Sequence, residues 1–390
     1  MRSRRMALWS LAVALVLSMT TWFSASAVIP QLRVEWALTD GTGAWLTIAV
    51  QLGFVAGAVL SSTFNLADLI APHQLILVGS FGAAAANLGL LACGSAGPAI
   101  ALRAATGASL AAVYPPALKL IATWFQERRG TAIGILIGAL TLGSAMPHLV
   151  NAAGGLEWER VVTVTSVLTA LGGLIALSIP EGPFPFPRGV FEPRMIGRVF
   201  RNRGVLLASL GYFGHMWELY AMWAWMVVFF RVVFGESGAA APLATFATIG
   251  VGAIGCYVGG VVGDRLGKPQ AAALMMLISG FCAVTIGFLL DAPSWSVIVV
   301  ALVWGFSVVA DSGQFSALVT EVSHQSYVGT AVTLQLAVGF TLTVATIWLI
   351  PVAEDLWTWR WAFSLLAIGP ALGIVAMIRL RRWLDVGDRD

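Results

Sequence analysis

The chain has 390 residues, 58% of them hydrophobic and 11% charged, and its mean hydropathy is +0.87. A soluble domain carries about 25% charged residues, which excludes water as the main solvent. The net charge of +3 invites a nucleic-acid reading, but the basic residues are sorted by membrane side, as topology requires and nucleic-acid binding does not.

A hydrocarbon core of about 30 Å needs roughly 20 apolar residues per helix, because every backbone amide must be paired within its segment. The first such run covers 8–29 behind Arg2, Arg4 and Arg5. It ends in small residues, Ser24-Ala25-Ser26-Ala27, as a signal peptide does. A cleavable apolar region is only about 7 to 15 residues long, so an uncleaved first helix is expected. Runs at 43–63, 74–93, 98–121, 130–151 and 160–179 follow; Gln51, Asn87, Arg103 and His148 fall on the second to fifth. A Pro- and Arg-rich stretch from Pro180 to Arg203 then interrupts the pattern. Six further runs, at 204–230, 239–262, 271–290, 294–318, 327–350 and 359–380, complete twelve. The expected fold is an all-α integral membrane protein of twelve transmembrane helices in two six-helix bundles. Its units are 1–180, a cytoplasmic linker 181–203, and 204–390.

Placing the N-terminus in the cytoplasm leaves 17 basic residues inside and 4 outside, with Arg103 within the fourth run. The bias predicts a multi-pass protein of the cytoplasmic membrane with both termini inside; a monomer is expected. Cys93, Cys256 and Cys282 lie in apolar runs at unrelated spacings, which suits packing and argues against disulfides or a metal cluster. No cofactor is expected.

The two sets of six runs have weak internal similarity. Asp68 and Asp264 are 196 residues apart, each after the second run of its half, and Gly130-Thr131-Ala132 matches Gly329-Thr330-Ala331 at 199. Glycines recur every four residues, as Gly53 and Gly57 and as Gly255, Gly259 and Gly263, a spacing that lets helix backbones approach. The segment Gly260-Val261-Val262-Gly263-Asp264-Arg265-Leu266-Gly267-Lys268 resembles the signature of the major facilitator superfamily between the second and third helices of a half. The first half keeps Asp68 there but lacks the flanking glycines and arginine. Arg103 with Gly107 resembles a second family motif, whereas Pro147 and His148 depart from the glycine-proline pattern of drug/proton antiporters on the fifth helix. The resemblance implies two pseudo-symmetric halves, alternating access, and a gate formed by Asp264, Arg265, Gly267, Lys268 and Asp68.

Ionisable groups in hydrocarbon cost several kcal/mol and face a partner, the bundle interior or a water-filled cavity. His215 and Glu218, three apart on the seventh run, lie on one helical face and read as two proton carriers together. Arg103 has no acid within the runs of its own half. Three roles are open to it: capping backbone carbonyls, pairing with Glu218 or Asp311, or meeting an anionic substrate. Asp311 with Gln314, and Gln51, Asn87, Gln335 and His148, are candidates to face a cavity. Trp22 and Tyr220, on the equivalent first and seventh runs, are candidates for its aromatic lining.

The enzyme reading fails for want of any metal or redox motif, and Val262 and Pro269 spoil a phosphate loop at Gly267-Lys268. The expected function is secondary active transport of a small solute, such as a small organic or inorganic anion, coupled to protons. Drug or metabolite efflux by proton antiport, or a receptor built on a transporter fold, is the alternative.

Overall fold

The computed structural model describes residues 4–64, 66–125, 129–153, 157–184, 193–235, 238–324 and 327–387. Among them every regular element is a helix. The first span, α1, is a bent pair, Arg4–Thr21 and Ser26–Glu35, meeting at 51°. Nine further spans follow: α2 Gly41–Thr63, α3 Pro72–Ala92, α4 Ala96–Ala122, α5 Gly130–Ala153, α6 Trp158–Leu177, α7 Arg203–Phe234, α8 Ala240–Leu266, α9 Lys268–Leu289 and α10 Ser294–Val322. The last run, Val328–Asp385, has 58 residues, about 87 Å of helix at 1.5 Å per residue, far beyond a bilayer's depth. It turns at Thr358, whose φ of +61° is not helical, leaving α11 at 328–357 and α12 from 359. The total is the twelve spans that hydropathy predicts.

Local chemistry sets several boundaries. Proline occupies the first turn of α3 and α9, where its missing N–H costs nothing. Asn202 caps α7 by accepting from the Val205 amide at 3.1 Å. The signature expected in a loop lies in the helix instead: Asp264 and Arg265 belong to the last turn of α8, and Gly267 ends it at φ +91°. Asp68 falls in the helical turn Leu66–Leu69, though its side chain lies outside the described residues, as do residues 185–192 of the predicted linker. The following described segment forms a short helix, Ile196–Arg201.

Within the first bundle α1 packs on α5 and α6, α2 on α4, and α3 on α6. The second repeats this arrangement, α7 on α11 and α12, α8 on α10, and α9 on α12. The glycines explain how the crossings close. A Cβ on Gly107 would stand 2.0 Å from the Val50 carbonyl oxygen, and one on Gly305 would stand 1.7 Å from that of Thr248. Gly57 and Gly255 face the Ala108 and Phe306 carbonyls as tightly, at 2.5 and 2.1 Å. Each of these pairs is separated by 198 residues, so the two bundles share one crossing geometry. The bundles meet along two long seams, α2 on α11 and α5 on α8, and residues 26–28 of α1 touch α7.

Candidate substrate and coupling site

The break in α1 is the first feature that positions the site. Where a helix opens inside a bilayer, its carbonyls lose their own donors and must find others. Arg103 on α4 supplies them. Its guanidinium, wholly buried, donates to the carbonyls of Thr21 (2.9 Å) and Trp22, to Ser24 Oγ (3.1 Å) and Asn87 Oδ1 (3.0 Å), and through Nε to the Leu46 carbonyl (3.3 Å). Asn87 is itself held by Ser24 Oγ at 2.6 Å and donates to Ser166 Oγ at 2.9 Å. The cation is therefore surrounded by neutral acceptors from its own half. Of the three roles open to Arg103, this arrangement realises carbonyl capping; all three guanidinium nitrogens are engaged, and neither Glu218 nor Asp311 reaches them. Asn87 serves the same network instead of a cavity.

In the second half the buried ionisable residues include two acids and a histidine, besides Arg231 near the end of α7. Glu218 on α7, buried at 1% exposure, accepts from Ser279 Oγ of α9 at 2.8 Å and from Trp304 Nε1 of α10 at 2.7 Å. His215 turns elsewhere, its Nδ1 lying 2.8 Å from Asp311 Oδ1 and its Nε2 3.0 Å from Ser312 Oγ. Both partners sit at an interruption of α10 between Ala310 and Ser312. The expected His215–Glu218 unit is thus split into two sites on one helix. Gln314 does not share a cavity with Asp311: its Nε2 donates to the Gly259 carbonyl at 3.1 Å, and a Cβ on Gly263 would stand 2.5 Å from its Oε1. It ties α8 to α10. Ser279 and Trp304 escape sequence reading because each lies in an apolar run, with no spacing that connects it to Glu218.

Between the halves lies an aromatic box. Trp22 and Phe23, at the α1 break, and Phe54 of α2 meet Tyr220 and Trp223 of α7 and Phe340 of α11. Ring centroids are 4.9 Å apart for Trp22–Phe54, 4.8 Å for Phe54–Phe340, 5.2 Å for Tyr220–Phe340 and 5.8 Å for Phe23–Trp223. Trp22 also stacks on Tyr220 at 6.0 Å. All six side chains are at most 5% exposed, so the box is shut on both sides. Sequence reading selects Trp22 and Tyr220 and misses the other four, whose partners are remote in the chain.

Unspent hydrogen-bonding capacity collects on and around this box. The indole N–H groups of Trp22 and Trp223, and both amide atoms of Gln51 and of Gln335, have no hydrogen-bond partner among the described residues. Gln51 precedes Phe54 by three residues and Gln335 precedes Phe340 by five. Because α2 and α11 run in opposite directions, the two glutamines stem from opposite sides of the ring layer, their backbone positions offset by about 4.5 and 7.5 Å at 1.5 Å per residue. Gln335 is one turn before Gly339, which packs on Tyr212 of α7. His148, beside Pro147 in α5, is also buried with both ring nitrogens unpartnered. Native proteins leave few buried polar atoms unpaired, which makes this concentration the candidate binding region.

Away from the box, Arg33 of α1 lies 5.7 Å over the Trp225 ring of α7, joining the halves near the end opposite the N-terminus. At the other end Lys268 pairs with Glu321 of α10, while Asp264 and Arg265 are exposed and make no ion pair among the described residues. No three His, Cys, Asp or Glu side chains converge on a metal-sized site among the described residues.

Residues 11–347 match the family model of the Major Facilitator Superfamily. The MFS transporter asaE of Aspergillus flavus is 25% identical over 233 residues, 56% of this chain and 50% of that one. A gallate transporter of Pseudomonas putida is 24% identical over 317 residues, 70% of this chain and 69% of its own. This chain spans about half the length of the first of these relatives. Among solved structures, a D-xylose-proton symporter superposes with a TM-score of 0.74 at 14% identity, covering 96% of each chain. With the matched residues reaching from α1 into α11 and two bundles sharing one crossing geometry, the chain belongs to the Major Facilitator Superfamily of membrane transporters.

Proposed function

We infer that this protein carries a small planar solute with hydrogen-bonding groups by alternating access, coupled to protons at Glu218. The observation that carries the reading is the shut aromatic box with unpartnered indole N–H groups and an unpartnered amide on either side of it. Aromatic rings offer stacking surface to a flat molecule, and the indole N–H groups offer donors to its acceptors. One amide faces each approach, which suits a site reached alternately from the two sides. Arg103, fully engaged by neutral acceptors, no longer favours an anion over a neutral solute.

Glu218 is bound by two donors, an alcohol and an indole, neither of them charged. A carboxyl group without a cationic partner inside a bilayer is costly when ionised, so its protonation state responds to which side admits water. His215 of α7, about one turn from Glu218, and Asp311 of α10 form a second buried pair. Basic-residue bias supports a location in the cytoplasmic membrane with both termini inside. Residues 1–180 and 204–390 are the moving halves, 181–203 is the cytoplasmic linker, and the monomer is the working unit.

The test is uptake into vesicles reconstituted with the purified protein, with and without a pH gradient, over matched neutral and anionic aromatic solutes. Gradient-driven accumulation of a neutral member supports the reading. Accumulation indifferent to pH removes proton coupling, and preference for anions alone returns Arg103 to the substrate. Absence of flux for every solute, with binding retained, favours a receptor.

A further inference from the structure

At the N-terminal side of the second half, a pocket of about 430 Å³ is lined by Arg198, Arg201, Asn202, Arg203, Tyr327 and Trp383. It is built from a corner. The short helix Ile196–Arg201 meets α7 at Asn202, whose Nδ2 donates to the Val322 carbonyl at 3.0 Å and to Tyr327 Oη at 2.9 Å. The corner is therefore fixed to the connection between α10 and α11. The Trp383 ring lies so close to α7 that a Cβ on Gly204 would stand 2.7 Å from it; glycine there lets the indole form one wall. Arg198, Arg201 and Arg203 are exposed, and none pairs with a carboxylate among the described residues.

Three arginines without a counter-ion, held beside an indole and a phenol at the end of a membrane-spanning bundle, lack an anion. Guanidinium forks match phosphate oxygens in pairs, and indole and phenol rings prefer the headgroup layer. The side chain that decides the source of the phosphate is apolar. On α7, Leu206 and Leu210 follow Arg203 at three and seven residues and are 39% and 44% exposed. That spacing puts them on one helical face leading from the pocket into the hydrocarbon. We propose that this pocket binds the phosphate headgroup of an anionic phospholipid, with an acyl chain lying along Leu206 and Leu210. The bound lipid fixes the start of α7, the helix that carries His215, Glu218 and Tyr220. The leaflet follows from the proposed sidedness of the chain, but the binding does not depend on transport.

The experiment is native mass spectrometry of the full chain in detergent, titrated with phosphatidylglycerol or phosphatidylcholine, with lipid adducts counted. Phosphatidylglycerol should bind at lower concentration, and the triple variant R198Q/R201Q/R203Q should lose that preference, at about fivefold per arginine. Each single Arg→Gln variant should lose a share of it, which keeps the test open if the triple variant unfolds. Substituting Arg4→Gln and Arg5→Gln, in the other half, should leave it unchanged. Leu206→Ser with Leu210→Ser should weaken phosphatidylglycerol while sparing inorganic phosphate. Equal binding of the two lipids, preference retained in the folded triple variant, or full displacement by millimolar inorganic phosphate would overturn the proposal.

Discussion

The two halves share a frame and differ in what they bury. Their tightest helix crossings coincide at an offset of 198 residues, yet the position equivalent to Arg103 is Ala301 and that equivalent to Glu218 is Thr20. The first half buries a permanent cation among carbonyls, hydroxyls and an amide. The second buries two carboxyl groups and a histidine: Glu218 accepts from a hydroxyl and an indole, and His215 lies between Asp311 and the Ser312 hydroxyl. A guanidinium does not release its proton in a protein, whereas carboxyl and imidazole groups do. The difference suits the proposed division of labour, in which Arg103 braces the first half and Glu218 carries the proton in the second, although the first half also buries His148 and the second Arg231.

The sharpest way to break this comparison is to remove the brace. Arg103→Met should cost about 3 kcal/mol or more, since it strands several buried acceptors at once, and thermal unfolding in detergent would register the loss. Arg103→Lys should retain part of the stability and leave the affinity of the folded protein unchanged; a selective loss of substrate binding would make the cation a substrate ligand. Next in size, Glu218→Gln should abolish pH-driven accumulation while preserving exchange of substrate for substrate, because a permanently neutral side chain lets the loaded carrier turn over. Full gradient-driven uptake by that variant would end the titrating role of the second half.

The shared frame is open to test as well. Gly107→Ala and Gly305→Ala should each destabilise by about 1–3 kcal/mol through overpacking, and by similar amounts; a large asymmetry would show that the crossings are alike in shape only. The signature is complete only after α8, so Asp264→Asn should slow turnover more than it weakens binding, and Asp68→Asn should do so less. Flux assays at saturating substrate separate those effects. The smallest change is expected at the unpaired amides. Gln51→Leu and Gln335→Leu remove polar atoms that no protein group satisfies, so stability should hold or rise by up to about 1 kcal/mol, while substrate affinity falls in direct binding measurements.

Hydropathy made the architecture legible because each span must satisfy its own backbone, which forces long apolar runs on any such sequence. It also located most of the buried ionisable residues, since few are tolerated there, but it put Arg231, which is buried near the end of α7, outside the span. It could not show how they pair. His215 and Glu218 share a helical face, but α9 and α10 draw them to different partners, and only the packing of three helices decides that. The break at Trp22 was equally hidden. Nothing in the run 8–29 forbids a continuous helix, although Thr20, Thr21, Ser24 and Ser26 are a dense set of hydroxyls for a lipid-embedded segment. They are the one local trace of a backbone that finds its partners elsewhere.

The turn at Thr358 bears on how the second half moves. A β-branched residue at positive φ is strained, and the corner it makes leaves no slack between α11 and α12. Arg360, just beyond it, pairs with Asp291 between α9 and α10. Helices joined by a long connection can slide past one another, but two rods joined at a fixed elbow transmit tilt from one to the other. In the proposed cycle, a withdrawal of Phe340 on α11 from Phe54 would carry α12 with it, and α12 lies against α7 and α9. In that cycle the elbow would act as a lever, passing a displacement at the seam to the helices that hold Glu218 and Ser279.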